Sequence, residues 1–239
     1  EPPFPPPHPT TGPIATPGWH DDQSGTLPFL IWADDTSKDQ LDGYVMALGA
    51  AYDAIHGDAS FDPSYETRLA ADARAIAQKL MTPVTIGTHT LDLVIVDADG
   101  LPVGAHDLNA LELEGAFFPR PTNGFNAWMA LSMFRVFYAI TGDADIGRYY
   151  YEELVGRRRY FDVAAATIMV QYTGFSTNYS NVNMSFVAAY GLLRFESDPV
   201  LAARARAILE SNLYAPGVDR QAQGLAQSLF DWTYAGFRP

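Results

Sequence analysis

The stretch "NGFNAWMALSMFRVFYAIT", residues 123–141, decides the fold class because it is apolar on nearly every side. A helix of this composition is buried on most sides instead of lying on a protein surface. Gly142 and Asp143 come directly after it and predict where the helix ends. The stretch therefore predicts an inner helix that other helices cover.

Two further segments share this arrangement of a polar start and a small, aromatic, buried body. They are "DDTSKDQLDGYVMALGAAYDAIHGD" at residues 34–58 and "NYSNVNMSFVAAYGLLRFE" at residues 178–196. In the first, Thr36 or Ser37 is the candidate N-cap, the helix runs to about His56, and Gly57 ends it. We therefore expect three inner helices.

Charged, amphipathic segments follow the inner helices and predict outer partners. They cover residues 63–81, 143–158 and 198–214, with additional short helices expected near 160–171 and 221–235. The fold class that this alternation predicts is all-α, a helical-hairpin array in which one helix of each pair is buried. One β-hairpin insertion is expected in "HTLDLVIVDADGLPVGAHDLN", where the sequence Asp-Ala-Asp-Gly marks a turn.

The polar starts of the inner helices lie at residues 34–42, 123–128 and 178–185. If the inner helices run parallel, these starts meet at one end of the array. Helix N-termini favour negative charge, so the acids at residues 34–42 suit such a position. We therefore expect a shared polar cleft at the inner-helix N-termini.

The chain divides into a proline-rich arm and a helical domain. Residues 1–28 carry closely spaced prolines, which predict an extended strap across the domain or a linker. Residues 29–239 form the predicted helical domain. Because residue 1 is Glu and not Met, we expect a processed mature form or a fragment of a longer parent chain.

Composition excludes several classes of function. With 28 acidic against 15 basic residues the net charge is −13, which repels nucleic acid and anionic membranes. The absence of cysteine excludes disulfides, thiolate zinc sites and a cysteine nucleophile. No apolar run has the length of a membrane span. These features fit a bacterial protein that is secreted, periplasmic or on the cell surface, and they leave its oligomeric state open.

Several of these segments carry a family likeness. The sequences "TSKDQLDGYVMALGAAYDAI", "DADG", "NYSNVNMSFVAAYGLLRFESDP" and "NLYAPG" resemble bacterial exported proteins of the (α/α) toroid type, the six-hairpin glycosidase-like fold. The resemblance spans about residues 32–235 and implies a carbohydrate-active domain, either glycoside hydrolase or polysaccharide lyase-like. Since fewer helices fit here than a full toroid contains, the chain corresponds to an incomplete toroid, a smaller arc or part of a longer protein.

A glycoside hydrolase needs one carboxyl group as general acid and usually a second as base or nucleophile. Asp39 and Asp42 are the best candidates for these catalytic groups. They are three residues apart, so they would be close enough to share a proton or a metal ion. The alternative is that both acids only complement the helix dipole.

A lyase instead needs a base and a group that neutralises a substrate carboxylate, and Tyr179 is the candidate base. The candidate substrate-binding residues are amides and aromatics, namely Asn123, Asn126, Asn178, Asn181, Asn183, Tyr44 and Trp128. Amides at helix starts also cap helices, and aromatics at helical spacing also fill cores. An acidic sugar would require a cation near this cleft, and the sequence does not identify one.

We predict no cofactor, with Ca²⁺ bound by Asp34, Asp35, Asp39 and Asp42 as an alternative. The predicted partner is a polysaccharide or oligosaccharide, and nucleic acid is not expected. The rival function is a non-catalytic exported structural or interaction domain that assembles through the proline-rich arm. Whether the chain is an enzyme stays open at this point.

Overall fold

The structure is a computed structural model that describes residues 18–26, 30–110, 122–168, 179–214 and 227–237. These residues contain eight α-helices: α1 (Lys38–Ile55), α2 (Ser64–Met81), α3 (Gly124–Thr141), α4 (Ala144–Arg148), α5 (Tyr160–Thr167), α6 (Tyr179–Phe195), α7 (Pro199–Ile208) and α8 (Ser228–Gly236). Wider π-helical turns extend α4 over Tyr149–Arg157 and α7 over Leu209–Tyr214. The prediction of a mostly helical chain is confirmed.

Helix α3 lies at the centre of the core. All of its residues except Tyr138, Ala139 and Thr141 are buried, as the apolar composition of this stretch predicted. Asn123 caps its N-terminus, and Gly142 ends it in the left-handed conformation at φ 59°. That conformation suits glycine because it has no side chain to clash with the backbone.

The inner helices α1, α3 and α6 run parallel. At their starts, Lys38 of α1 contacts Asn126 of α3. Three turns further along, Gly49 of α1 lies against Val136 of α3 and Phe195 of α6. Because the same helices meet first near their N-termini and then near their C-termini, all three point in one direction.

The remaining helices cover this inner group. Helix α2 packs on α1 and α3. Helix α5 packs on α3 and ends at its start, where the Gly124 amide donates to Thr167 Oγ1 at 2.9 Å. Helix α8 packs on α6 through Phe230, whose ring stacks on Phe186 at 4.3 Å between centroids. The core is therefore continuous across all of the larger helices.

The described residues also form three two-stranded antiparallel sheets: β1 (Trp19–Asp21) with β2 (Ile31–Ala33), β3 (Val84–Ile86) with β4 (His89–Leu91), and β5 (Val94–Val96) with β6 (Pro102–Asp107). The β5–β6 pair is the predicted hairpin. The sequence predicted one hairpin, and this number is wrong because the described residues contain two more pairs of strands. The β3–β4 turn contains Gly87 at φ 62°, and a glycine between two short β-branched runs is the usual sequence mark of a tight hairpin.

A half-buried ion pair ties the β-hairpins to the helices. Arg158 Nη1 donates to Asp92 Oδ1 at 2.8 Å, and the Tyr149 hydroxyl donates to the other oxygen of the same carboxylate at 2.5 Å. Asp92 lies between β4 and β5, whereas Tyr149 begins the π-helical segment and Arg158 directly follows it. These contacts fix the hairpins against the side of the bundle that α4 and α5 form.

Candidate functional site

The N-termini of α1, α3 and α6 meet at one end of the bundle, as the sequence predicted. Lys38 Nζ donates to Asn126 Oδ1 at 3.0 Å and so joins α1 to α3. Ser180 Oγ donates to Asp39 Oδ2 at 3.3 Å and so joins α6 to α1. We call this region the junction and define it as Lys38, Asp39, Asp42, Asn123, Asn126 and Ser180.

The local sequence of α1 decides which side chains point into the junction. Ser37 and Gln40 form a capping box: the Gln40 amide donates to Ser37 Oγ at 3.3 Å, and the Ser37 amide donates to Gln40 Oε1 at 2.8 Å. With the helix start fixed there, Lys38 and Asp42 fall on the buried face, one turn apart. Asp39 falls on the exposed face.

The two candidate catalytic acids therefore lie in different environments. Asp42 is only 3% exposed, and within the described part of the chain its Oδ2 atom has no hydrogen-bond partner. Burial raises the pKa of Asp42 well above its usual value, and the nearby charge of Asp39 raises it further. The Asp42 carboxyl thus keeps its proton at a pH where an ordinary aspartate has lost it.

Asn123 and Asn126 are both fully buried at the start of α3. Asn123 is the N-cap, and its Oδ1 accepts from the Asn126 amide at 3.1 Å. Among the residues that the structure describes, neither Nδ2 atom has a hydrogen-bond partner. Buried polar groups are nearly always paired, so two orphaned amide groups in one place require an explanation.

Lys38 is the residue that the sequence interpretation missed. Its side chain is buried, with the residue 8% exposed, and its ammonium lies 5.5 Å from the centre of the Phe125 ring. Its position in the sequence holds a clue, because Lys38 is four residues before Asp42 and shares the inward face with Leu41 and Val45. Lys38 is therefore a cation near the predicted cleft, which the sequence analysis did not identify.

The candidate base Tyr179 and the other predicted substrate-binding residues lie in different environments. Tyr44 and Tyr179 are 47% and 56% exposed, and both rings are accessible for stacking. Trp128 is fully buried, and its indole N–H donates to the Ser185 carbonyl at 2.9 Å, so its ring fills the core between α3 and α6. Asn183 is exposed, whereas Asn181 is half-buried. Asn178 lies outside the described residues.

Of the acids proposed for Ca²⁺, Asp34 lies apart from Asp39 and Asp42. Asp34 accepts from His20 Nε2 at 2.8 Å and from the Ala98 amide at 3.3 Å, and the hydrogen bond from His20 is the main cause of its lowered pKa. Asp99 joins these two residues in a group whose candidate ligand atoms lie within 4.8 Å of one another. Asp42, in contrast, is buried in the junction.

Comparison of the chain with protein-family models, with curated proteins and with solved structures finds no match. Among the described helices none combines the length and the hydropathy needed to cross a membrane. Function is therefore inferred from the chemistry of the junction.

Proposed function

We propose that the chain is a carbohydrate-active domain, glycoside hydrolase or polysaccharide lyase-like, with its site at the junction. The observation that carries this proposal is the pairing of a buried carboxyl, Asp42, with an exposed one, Asp39, where three parallel helices begin. Two acids in contrasting environments are the arrangement that separates an acid role from a base role.

For hydrolysis, the general acid must hold a proton until the glycosidic oxygen needs it. Asp42 suits that role because burial raises its pKa. Asp39 is the second carboxyl, and Ser180 orients it through a hydrogen bond. The two side chains belong to one helix, so a substrate that uses both must lie across the start of α1.

For elimination, the site needs a base and a group that neutralises the substrate carboxylate. Tyr179 is exposed at the first position of α6 and is the candidate base. The amides of Asn123 and Asn126 and the ammonium of Lys38 are the candidate neutralising groups. The sequence analysis did not identify a cation near the cleft. The ammonium of Lys38 is such a cation, and its presence supports elimination.

The (α/α) toroid is our proposal for the finer architecture. Parallel inner helices, each followed by an outer helix, are what a segment of such an arc requires. Tyr44 and Tyr179 offer accessible rings near the helix starts, and flat aromatic surfaces suit sugar rings. We also propose an exported bacterial location, which the composition supports.

The proposal is tested with an array of neutral glycans and uronate polymers. Turnover is followed as new reducing ends for hydrolysis and as ultraviolet-absorbing unsaturated ends for elimination. We expect Asp42→Asn to abolish hydrolysis and Asp39→Asn to reduce it strongly. Asp72→Asn, an exposed acid on α2, is the matched control and should leave turnover unchanged. Unchanged turnover in both junction variants would remove the roles assigned to these acids.

Two rival proposals predict different outcomes. A structural domain that assembles through residues 1–28 should bind no glycan, and deletion of that arm should change its oligomeric state. A Ca²⁺-stabilised domain should lose thermal stability when a chelator is added and regain it with Ca²⁺. Neither rival expects turnover to depend on Asp42.

A further inference from the structure

We propose that His20, Asp34 and Asp99 form a binding site for a divalent transition-metal ion, for which Zn²⁺ is the best match. One ligand atom of each residue, an imidazole nitrogen or a carboxylate oxygen, lies within 4.8 Å of the other two. None of these residues belongs to the junction, so the inference does not depend on the proposed function. It follows from the way in which the β-hairpins bring three segments of the chain together.

The pairing of β1 with β2 places His20 beside Asp34. His20 lies opposite Trp32 in the ladder, and cross-strand partners project from the same face of a sheet. Asp34 comes two residues after Trp32, and its amide extends the ladder by donating to the Gly18 carbonyl at 3.2 Å, so its side chain returns to that face. The His20 ring stacks on Trp32 at 4.5 Å between centroids, which fixes the plane of the imidazole.

The turn between β5 and β6 supplies the third ligand. The Ala98 amide donates to Asp34 Oδ2 at 3.3 Å, so the turn is held against the carboxylate itself. Gly100 lies in this turn at φ 81°, a conformation that favours glycine. Asp99 stands between Ala98 and Gly100, and its carboxylate is therefore held next to the other two ligands. Three segments that are distant in sequence converge on one point.

Two carboxylates at this point favour a positive partner. The Asp34 side chain is only 4% exposed, and like charges held close together disfavour ionisation unless a cation lies between them. A divalent ion bound to two carboxylates and one neutral imidazole gives a group with no net charge. Asp99 is exposed and His20 is half-buried, so an ion can enter this group from the solvent.

The ligand types favour zinc over calcium. Ca²⁺ takes about six to eight oxygen ligands, whereas one imidazole nitrogen with two carboxylate oxygens suits a transition metal. Ligand atoms on a tetrahedral Zn²⁺ ion are about 3.4 Å apart. His20 Nε2 and Asp34 Oδ2 are 2.8 Å apart and no pair in the group exceeds 4.8 Å, so small side-chain rotations bring all three to the ion. A water molecule takes the fourth position.

The first test is isothermal titration calorimetry with Zn²⁺ on the full chain, made without a histidine tag and freed of metal by a chelator. We expect one ion per chain. His20→Gln should weaken Zn²⁺ binding about a hundredfold or more, because even the loss of an outer-shell partner of a metal site costs about 10–100-fold.

His56→Gln is the matched control for the histidine. His56 stacks on Tyr52 at 4.5 Å and contacts Glu66 at 3.1 Å, which resembles the surroundings of His20. In the described part of the chain, however, no third ligand joins this pair. The His56 variant should therefore keep the Zn²⁺ affinity of the parent within about twofold.

A second pair of variants guards against a folding defect. Asp99 is exposed, so Asp99→Asn should leave the metal-free fold intact while it weakens Zn²⁺ binding about tenfold or more. Asp72→Asn, an exposed acid on α2, is its control. Excess Zn²⁺ should raise the unfolding temperature of the parent and of both controls, and it should raise that of His20→Gln and Asp99→Asn much less. Circular dichroism of each metal-free variant shows whether the fold is retained.

Each outcome decides for or against the site. A parent chain that binds no Zn²⁺ would overturn the inference. Zn²⁺ affinity that is unchanged in both His20→Gln and Asp99→Asn would also overturn it, because the ion then binds elsewhere. Ca²⁺ that binds more tightly than Zn²⁺, with no contribution from His20, would overturn the choice of a transition metal. Glycan turnover enters none of these measurements, so a failure of the proposed function is distinguished from a failure of this inference.

Discussion

The packing at the start of α3 predicts a large loss of stability for the smallest of substitutions, Gly124→Ala. A Cβ atom at Gly124 would lie 2.6 Å from the Ile168 nitrogen and the Thr167 carbonyl carbon, and 2.7 Å from the Val163 oxygen. All three are backbone atoms of α5 or of the residue that follows it, so no side chain can rotate away. Helix α5 must move by almost 1 Å to restore ordinary contact distances of about 3.5 Å.

The magnitude follows from two contributions. Overpacking a close contact costs about 1–3 kcal/mol, and the shift also weakens the bond between the Gly124 amide and Thr167 Oγ1, which contributes about 1 kcal/mol. We therefore expect Gly124→Ala to lower the free energy of unfolding by about 3 kcal/mol. Gly43→Ala is the control, because a Cβ there meets nothing within 4 Å in the middle of α1.

Urea denaturation measures both variants under the same conditions. The control should raise the free energy of unfolding by about 0.5–1 kcal/mol, since alanine favours the helix over glycine. Both variants replace glycine with alanine, but we expect Gly124→Ala to lower the free energy of unfolding and Gly43→Ala to raise it. A Gly124→Ala protein that unfolds within about 0.5 kcal/mol of the parent would refute the close packing of α3 on α5.

Three further predictions concern the core and the acids. Asp42→Asn should flatten the pH dependence of stability. Above pH 4 the folded parent binds more protons than the unfolded chain, so its free energy of unfolding falls by up to about 1.4 kcal/mol per pH unit as the pH rises. If the free energies of unfolding of parent and variant change in parallel between pH 4 and 7, this prediction is wrong. Trp128→Phe removes the hydrogen bond to Ser185 and leaves a cavity, so chemical denaturation should show a loss of about 2 kcal/mol. Asp34→Ala should cost about 1–2 kcal/mol by removing an acceptor of two hydrogen bonds, whereas the exposed Asp99→Ala should change stability by less than about 0.5 kcal/mol.

The inner helices were predictable because the information that specifies them is local. The polar start, the apolar body and the glycine after residues 123–141 place α3 within one residue of its observed bounds. The same holds for α1, where Ser37 is one of the two candidate caps and forms the capping box. Caps and hydrophobic period act within one or two turns, so the sequence shows them directly.

The contents of the junction were less predictable because they depend on distant contacts. Lys38 and Asn126 are 88 positions apart, and no local pattern reports that their side chains meet. Trp128 shows the same difficulty, since an aromatic at helical spacing can fill a core or face a ligand. Only the packing of α3 against α6 decides that its ring is buried.

The polar groups of the junction make more sense as functional than as stabilising features. Lys38 and Asp42 are buried on the face of α1 where Leu41 and Val45 show that apolar side chains are accepted. Apolar residues at these two positions would remove two desolvated polar groups, which would stabilise the fold. Proteins retain such groups where a ligand completes their pairing, and stability is then sacrificed for binding. The flatter pH profile expected of Asp42→Asn would therefore have its physical origin in the desolvation of a polar group at the point where three helices begin.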